Sequence, residues 1–268
     1  MGSSLTGSQL FSHTYRTNTK KISGLERIWP TFCFYVRFLA VVFNASAKAK
    51  KGQYDDARWY HSSLNILRAL ERVGIGFEIT GLEHLMQLDS PCVVVANHMS
   101  VLETTILPMI IVPIKAMTFI VKDSLMNYPV FKHVLRSRRP IVVNRINPRQ
   151  DLKTVMQEGV ERLESGISVV VFPQTTRTRS FDPQKFNSIG VKLAARAKVP
   201  VVPLALLTDA WGNGRLIKEF GKIDTSRKVR FAFGKPMWVE GRGNDVHLKV
   251  IDFIGTHLAL WRSGTMSG

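Results

Sequence analysis

The sequence predicts an α/β fold: a mixed, mainly parallel sheet flanked by helices, with an N-terminal membrane-associated helical motif. Three observations predict it. Short apolar runs rich in Val, Ile and Phe recur along the chain, helical-period segments separate them, and one long apolar stretch edged by Lys and Arg lies near the N-terminus.

Residues 1–24 are polar and lack periodicity, so they read as a disordered tail to which no packing is assigned. Residues 25–75 read as N-terminal membrane-associated helices. Their most hydrophobic window is Ile28 to Phe43, with Lys20, Lys21 and Arg27 before it and Lys48, Lys50 and Lys51 after it. As a helix this window would be about 24 Å long at ~1.5 Å per residue, short of the ~30 Å hydrocarbon core. Arg37 also interrupts it, so an interfacial or re-entrant helix fits better than a full span. A buried core helix is the rival reading; a signal peptide fits poorly with the polar leader Met1 to Thr19. From Tyr54 to Val73 the apolar Trp59, Leu64, Leu67 and Leu70 recur at helical spacing, and Gly74-Ile75-Gly76 stops that helix.

Residues 76–262 read as the catalytic domain. Strands are expected at Phe77 to Ile79, Cys92 to Ala96, Met117 to Val121, Ile141 to Val143, Ser168 to Phe172, Val201 to Leu207 and Val229 to Phe233. Helices are expected at Thr104 to Met109, Asp151 to Leu163 and Ser188 to Ala197. No internal repeat or low-complexity block interrupts this order.

With 45% hydrophobic residues the chain can bury a sizeable core. Its 37 Lys and Arg against 20 Asp and Glu give a formal charge of +17, which favours polyanionic surfaces such as phospholipid headgroups or nucleic acid. Nucleic acid is not expected as a partner, because zinc-ligand spacing, an aromatic ribonucleoprotein signature and a basic heptad helix are all missing. The two cysteines, Cys33 and Cys92, sit in separate apolar stretches and make neither a disulfide framework nor a metal motif. A membrane-associated position on the cytoplasmic face is the resulting expectation.

Chemistry concentrates where strands end. The run Cys92 to Ala96 leads directly into Asn97 and His98, with Glu103 five positions further on. A general base needs an acceptor on its far nitrogen to fix the tautomer and stabilise the imidazolium, and Glu103 is a natural one. On an ideal helix five residues leave two side chains about 140° apart, so the two meet only if His98 lies in the turn before the helix. After Ser168 to Phe172 come Pro173, Gln174, Thr175, Thr176 and Arg177, whose guanidinium suits bidentate contact with phosphate. A further basic block, Arg136, Arg138, Arg139 and Arg145, brackets the strand Ile141 to Val143. For isolated arginines a solvated basic face is the competing reading.

Taken together, Asn97-His98 with Glu103, Lys122 with Leu125 and Pro129, Val142 to Arg145, Phe172 to Arg177, and Val199 to Pro203 resemble the ordered blocks of the glycerophospholipid acyltransferase family. Its best-known members are the 1-acylglycerol-3-phosphate acyltransferases. The resemblance covers roughly Phe77 to Val239, and Phe231 to Pro236 is similar to the family's late strand and its Gly-x-Pro turn.

This resemblance implies that His98 is the general base and Glu103 its orienting carboxylate. Arg145 and Arg177 would contact the phosphate of a lysophospholipid acceptor, Pro203 would belong to the apolar wall of an acyl pocket, and Asn97, Lys122, Gln174 and Thr176 would support the site. It further implies acyl-CoA or acyl carrier protein as donor, an anionic membrane surface as partner, and neither metal nor other cofactor. Lysophosphatidate would be the acceptor and phosphatidate the product; another lysolipid acceptor, or a catalytically silent membrane-binding relative, is the alternative. Three departures from the family pattern stand out: Glu103 where Asp is usual, Gln174-Thr175 where Glu-Gly is usual, and Lys132 and Arg139 where glycines are frequent.

Overall fold

A computed structural model describes residues 14–18, 22–129, 131–174, 176–214, 217 and 219–264 of the chain. The strands are β1 (Tyr15–Arg16), β2 (Phe77–Thr80), β3 (Val93–Ala96), β4 (Met117–Lys122), β5 (Ile141–Val143), β6 (Ser168–Val171), β7 (Val201–Leu207) and β8 (Val229–Phe233). They form one sheet in the order β1-β2-β8-β7-β3-β6-β4-β5. The run β7-β3-β6-β4-β5 is parallel throughout, β8 joins β7 antiparallel, β2 joins β8 parallel, and β1 joins β2 antiparallel. Strands β3, β6 and β7 are buried along their whole length, which explains why they read as continuous Val- and Leu-rich runs rather than alternating ones.

Helices cover both faces. On one lie α2 (Pro30–Lys50), α3 (Asp56–Arg72) and α5 (Leu102–Ile111), in a core that includes Phe34, Phe38, Leu67, Leu102, Val94 and Leu204. On the other lie α7 (Pro148–Glu164), α8 (Ile189–Ala197) and α9 (Asn244–Arg262), with Leu163, Leu193, Val250, Val93, Val95 and Ala205 between them and the sheet. Gly190 lets α8 approach β3 closely, since a Cβ there would stand 2.7 Å from a Val95 methyl. The short helices are α1 (Gly24–Ile28), α4 (Glu83–Met86) and α6 (Phe131–Ser137). Helix α9 is absent from the sequence reading, although Val246, Val250, Ile254 and Leu258 repeat at intervals of four and are all buried.

The N-terminal stretch needs a correction. Tyr15 and Arg16 pair with Ile79 and Glu78 on the sheet edge, and the Thr17 hydroxyl accepts from Phe77 N at 2.9 Å while donating to Glu71 at 2.6 Å. Ser23 and Glu26 then form a capping box that starts α1. Periodicity gave no hint of this pairing because an edge strand is recruited through backbone groups that any sequence carries. Residues 1–13 and 19–21 of the expected tail lie outside the described residues.

Helix α2 is longer than the apolar window and is anchored rather than free. Phe34 and Phe38 are fully buried and meet the Trp211 ring edge to face at centroid distances of 4.8 and 5.1 Å. Two such buried side chains contribute roughly 1.5–3 kcal/mol each, so this helix belongs to the body of the protein. Arg37, which interrupts the apolar run, pairs with Glu26 at 2.6 Å and donates to the Cys33 carbonyl at 3.1 Å. The opposite side exposes Phe32, Val36 and Phe43, next to Leu25, Ile28 and Trp29.

Candidate active site

The five parallel strands all end at one edge of the sheet, and their exits carry the side chains singled out by the sequence. Just past β3, Asn97 donates through Nδ2 to the Leu206 carbonyl and accepts from Leu206 N through Oδ1, both at 2.8 Å. It thereby extends the tie between β3 and β7 with a side chain where the ladder ends. Asn97 is buried and holds the backbone that presents His98.

His98 lies in the turn before α5, as the spacing requires, and Glu103 is the second residue of that helix. Glu103 is 0% exposed. Its Oε1 accepts from Met99 N at 2.7 Å, Ser100 N at 2.9 Å and the Thr208 hydroxyl at 2.6 Å; its Oε2 accepts from Ser100 N at 3.1 Å. Burial opposes the charge, but the His98 imidazole, the Thr208 hydroxyl and the Met99 amide outweigh it and hold the carboxyl below its usual range. The positive end of α5 acts in the same direction.

Glu103 Oε2 faces His98 Nδ1 at 3.4 Å, an ion-pair distance rather than the ~2.7–2.9 Å of a formed charged hydrogen bond. No other acceptor reaches that buried nitrogen among the described residues. Catalytic bonds of this kind often tighten only when substrate is bound. The imidazole is 12% exposed and lies against Phe172, with centroids 4.4 Å apart and planes 21° apart. Phe119 stacks behind Phe172 at 6.2 Å, so two rings support the histidine.

Gln174 is buried and points at the histidine backbone. Its Oε1 accepts from His98 N at 2.8 Å, its Nε2 donates to Thr178 Oγ1 at 3.0 Å, and the Thr178 hydroxyl in turn donates to the Ser180 carbonyl at 2.5 Å. Thr178 N donates to the His98 carbonyl at 3.0 Å, so both backbone groups of His98 are held by the segment after β6.

Arg145 and Arg177 follow β5 and β6. Partial burial lowers the Arg145 pKa, Asp151 opposes this, and the charge of Arg177 lowers it further. Arg145 occupies the left-handed region, φ 60°, with its backbone N donating to Asp151 at 2.8 Å. Arg177 is held at 3.1 Å by Glu219, a carboxylate that the sequence reading missed because it is remote in the chain. Lys122 ends β4 and is exposed on the same edge, Thr176 is exposed beside Arg177, and Thr175 lies outside the described residues.

Two members of the basic block do other work. Arg138 pairs with Asp56 at 2.5 Å and lies over the rings of Tyr54 and Trp59, tying the strand entry to α3. Arg139 adopts φ 47°, the left-handed conformation that a glycine would reach without strain. Pro203 also departs from expectation. It pairs with Val95 inside β7 and touches Gly234, on the α9 side of the sheet, whereas α5 and Glu103 lie on the other. It is a core residue, and an acyl wall beside His98 would need other side chains. Strand register decides this, because one residue's shift changes the face a side chain takes. Among the described residues, no three His, Cys, Asp or Glu side chains gather as metal ligands.

A buried carboxylate behind a histidine at a parallel-sheet edge is an arrangement that comparison with known proteins can place. The family model described as Acyltransferase matches residues 76–207. The 1-acyl-sn-glycerol-3-phosphate acyltransferase of Pseudomonas aeruginosa is 27% identical over 246 residues, 92% of this chain and 87% of that protein. The chain belongs to the glycerophospholipid acyltransferase family. A chloroplast 1-acyl-sn-glycerol-3-phosphate acyltransferase of Brassica napus is 31% identical over 163 residues, 60% of this chain and 45% of that one, so the chain matches less than half of the plant protein's length. The crystal structure of the 1-acyl-sn-glycerophosphate acyltransferase of Thermotoga maritima shares the fold, with a TM-score of 0.62, 18% identity, and coverage of 88% of this chain and 95% of that one. This protein is an acyltransferase. Within this acyltransferase, Glu103 and Gln174 both bond the backbone of the turn that carries His98, and Thr208, which bonds Glu103, carries no local motif that would have marked it in the sequence.

Proposed function

We propose that the protein transfers a fatty acyl chain from an acyl thioester, on coenzyme A or acyl carrier protein, to the free hydroxyl of 1-acyl-sn-glycerol-3-phosphate, giving phosphatidate. One observation carries the reading: His98, backed by Glu103, and Arg145 and Arg177 follow the parallel strands β3, β5 and β6, which end at the same sheet edge. With Nδ1–H directed to Glu103, His98 Nε2 is the basic nitrogen. It removes the acceptor's hydroxyl proton as that oxygen attacks the thioester carbonyl. The tetrahedral oxyanion then collapses, the C–S bond breaks, and the leaving thiolate takes the proton from the imidazolium. The ester and a free thiol are the products, and no covalent enzyme intermediate is involved. Arg145 and Arg177 hold the acceptor phosphate through charge-assisted bonds, with Lys122 and Thr176 at the rim.

The exposed Leu25, Ile28, Trp29, Phe32, Val36 and Phe43 suit contact with a bilayer interface, and a chain charge of +17 suits anionic lipid. The one described helix long and apolar enough to cross a membrane, Pro30–Lys50, buries one face in the protein, which favours lying in the interface over spanning it. The catalytic body would face the cytoplasm.

A second reading, a lysolipid with a different headgroup, draws support from Glu219, which places an anion at 3.1 Å from Arg177 where an acceptor phosphate would bind. Incubating the protein with a labelled acyl thioester and a panel of lysophospholipids, then identifying the product by mass, distinguishes the two. Phosphatidate as the dominant product supports the first reading; acylation of a neutral or zwitterionic lysolipid with lysophosphatidate left intact overturns it.

A further inference from the structure

We infer that Thr208 is a positioning residue for acyl transfer, its buried hydroxyl fixing the Glu103 carboxylate that in turn orients His98. The inference rests on the reading of His98 as the general base. Thr208 immediately follows β7, the strand beside β3, and is fully buried. Its hydroxyl meets Glu103 Oε1 at 2.6 Å, within the range of a strong O–H···O⁻ bond. Its carbonyl accepts the Ser100 hydroxyl at 3.0 Å, so both polar ends of the residue are engaged with the turn that carries His98.

The geometry divides the work between the two carboxylate oxygens. Three donors converge on Oε1, two of them backbone amides of the same turn, and the third is Thr208. The amides belong to residues 99 and 100 and move with the turn itself. Thr208 is the partner that ties the carboxylate to a different strand. It therefore fixes where Oε2 points relative to His98 Nδ1, which has no other acceptor among the described residues. A bland alternative is that Thr208 only fills space at the end of β7. In that case its methyl group would matter and its hydroxyl would not.

Variants at 208 separate these roles when measured beside the parent protein and His98→Ala. Thr208→Val keeps the shape and removes the hydroxyl; Thr208→Ala and Thr208→Ser both lack the methyl and differ only in the hydroxyl. With saturating lysophosphatidate and an acyl thioester, Thr208→Val and Thr208→Ala should lose kcat by about 10- to 100-fold with both KM values little changed, while Thr208→Ser stays within about threefold of the parent. His98 is the titratable side chain that faces Glu103 among the described residues, at 3.4 Å. Removing the hydroxyl donor makes the carboxylate a stronger base, so the pair takes up its first proton at higher pH. The low-pH limb of kcat/KM should accordingly move upward in the Val and Ala variants and stay in place in the Ser variant, a displacement that lost packing would not cause. If the Val variant fails to fold, the Ala and Ser pair decides. Full kcat in Thr208→Ala, an unmoved pH limb, or a Ser variant as impaired as Ala overturns the inference. Substantial activity in His98→Ala overturns the general-base reading instead, and this inference with it.

Discussion

Gln174 Oε1 accepts the backbone N–H of His98 at 2.8 Å, so a side chain from the segment after β6 sets the height at which the histidine leaves β3. The residue stands where relatives usually carry Glu, and its amide supplies what a carboxylate cannot, a donor for Thr178 Oγ1. The departure therefore acts on the histidine backbone rather than as a charge turned toward the acceptor phosphate. Gln174→Ala should leave a buried N–H unsatisfied and lower stability by about 1–3 kcal/mol, read by denaturant unfolding. Gln174→Glu should keep the bond from His98 N and set two acceptors against each other at Thr178, lowering kcat more than it alters the KM for lysophosphatidate. A large KM change with kcat intact would show that residue 174 does face the phosphate.

His98→Ala should reduce acyl transfer by about 10²- to 10⁴-fold without changing the far-ultraviolet circular dichroism. Glu103→Asp withdraws the carboxylate by roughly one C–C bond, about 1.5 Å, from three donors and from His98. It should cost at least about tenfold in kcat, even though Asp is the family's usual residue. Activity of Glu103→Asp equal to the parent would mean that the turn relaxes to follow the shorter side chain.

The lowered Glu103 pKa makes a stability prediction whose sign follows from linkage. A carboxyl whose folded pKa lies below its unfolded value, ~4.3, stabilises the fold above that value and loses the contribution as pH falls through the folded pKa. The melting-temperature difference between the parent and Glu103→Gln should therefore be largest near neutral pH and narrow below about pH 4. A difference that stays constant from pH 7 to 3 would mean that the buried carboxyl is not ionised in the folded protein.

Arg177→Ala should raise the acceptor KM, or lower kcat/KM, by an amount corresponding to about 1.5–3 kcal/mol, and leave the KM for the thioester nearly unchanged. Glu219→Gln removes the anion that holds this guanidinium at 3.1 Å and should lower the KM for lysophosphatidate at low salt. An increase instead would identify Glu219 as the group that aims Arg177.

Replacing exposed Trp29, Phe32 and Val36 together with Ser should weaken sedimentation with anionic liposomes while leaving the melting temperature within a few degrees. Substitution is the cleaner test than truncating the first 50 residues, because truncation removes Phe34 and Phe38 from the core. Undiminished sedimentation would place the lipid contact on another surface.

The sequence by itself determined the strand runs from β2 to β8, the order of the chemical blocks and the need for His98 to precede its helix. Those features are local: a buried strand must be apolar, and a helix running through both positions would turn Glu103 away from His98, five residues earlier. Tertiary structure decided what depends on elements distant in the chain. Register turned Pro203 toward α9, an exposed edge recruited Tyr15–Arg16, and the neighbouring of β7 and β3 brought Thr208 to a carboxylate 105 positions earlier. Such contacts leave no periodic trace in the sequence, because a hydroxyl that satisfies a buried charge is chosen by where two strand ends meet and not by the residues beside it.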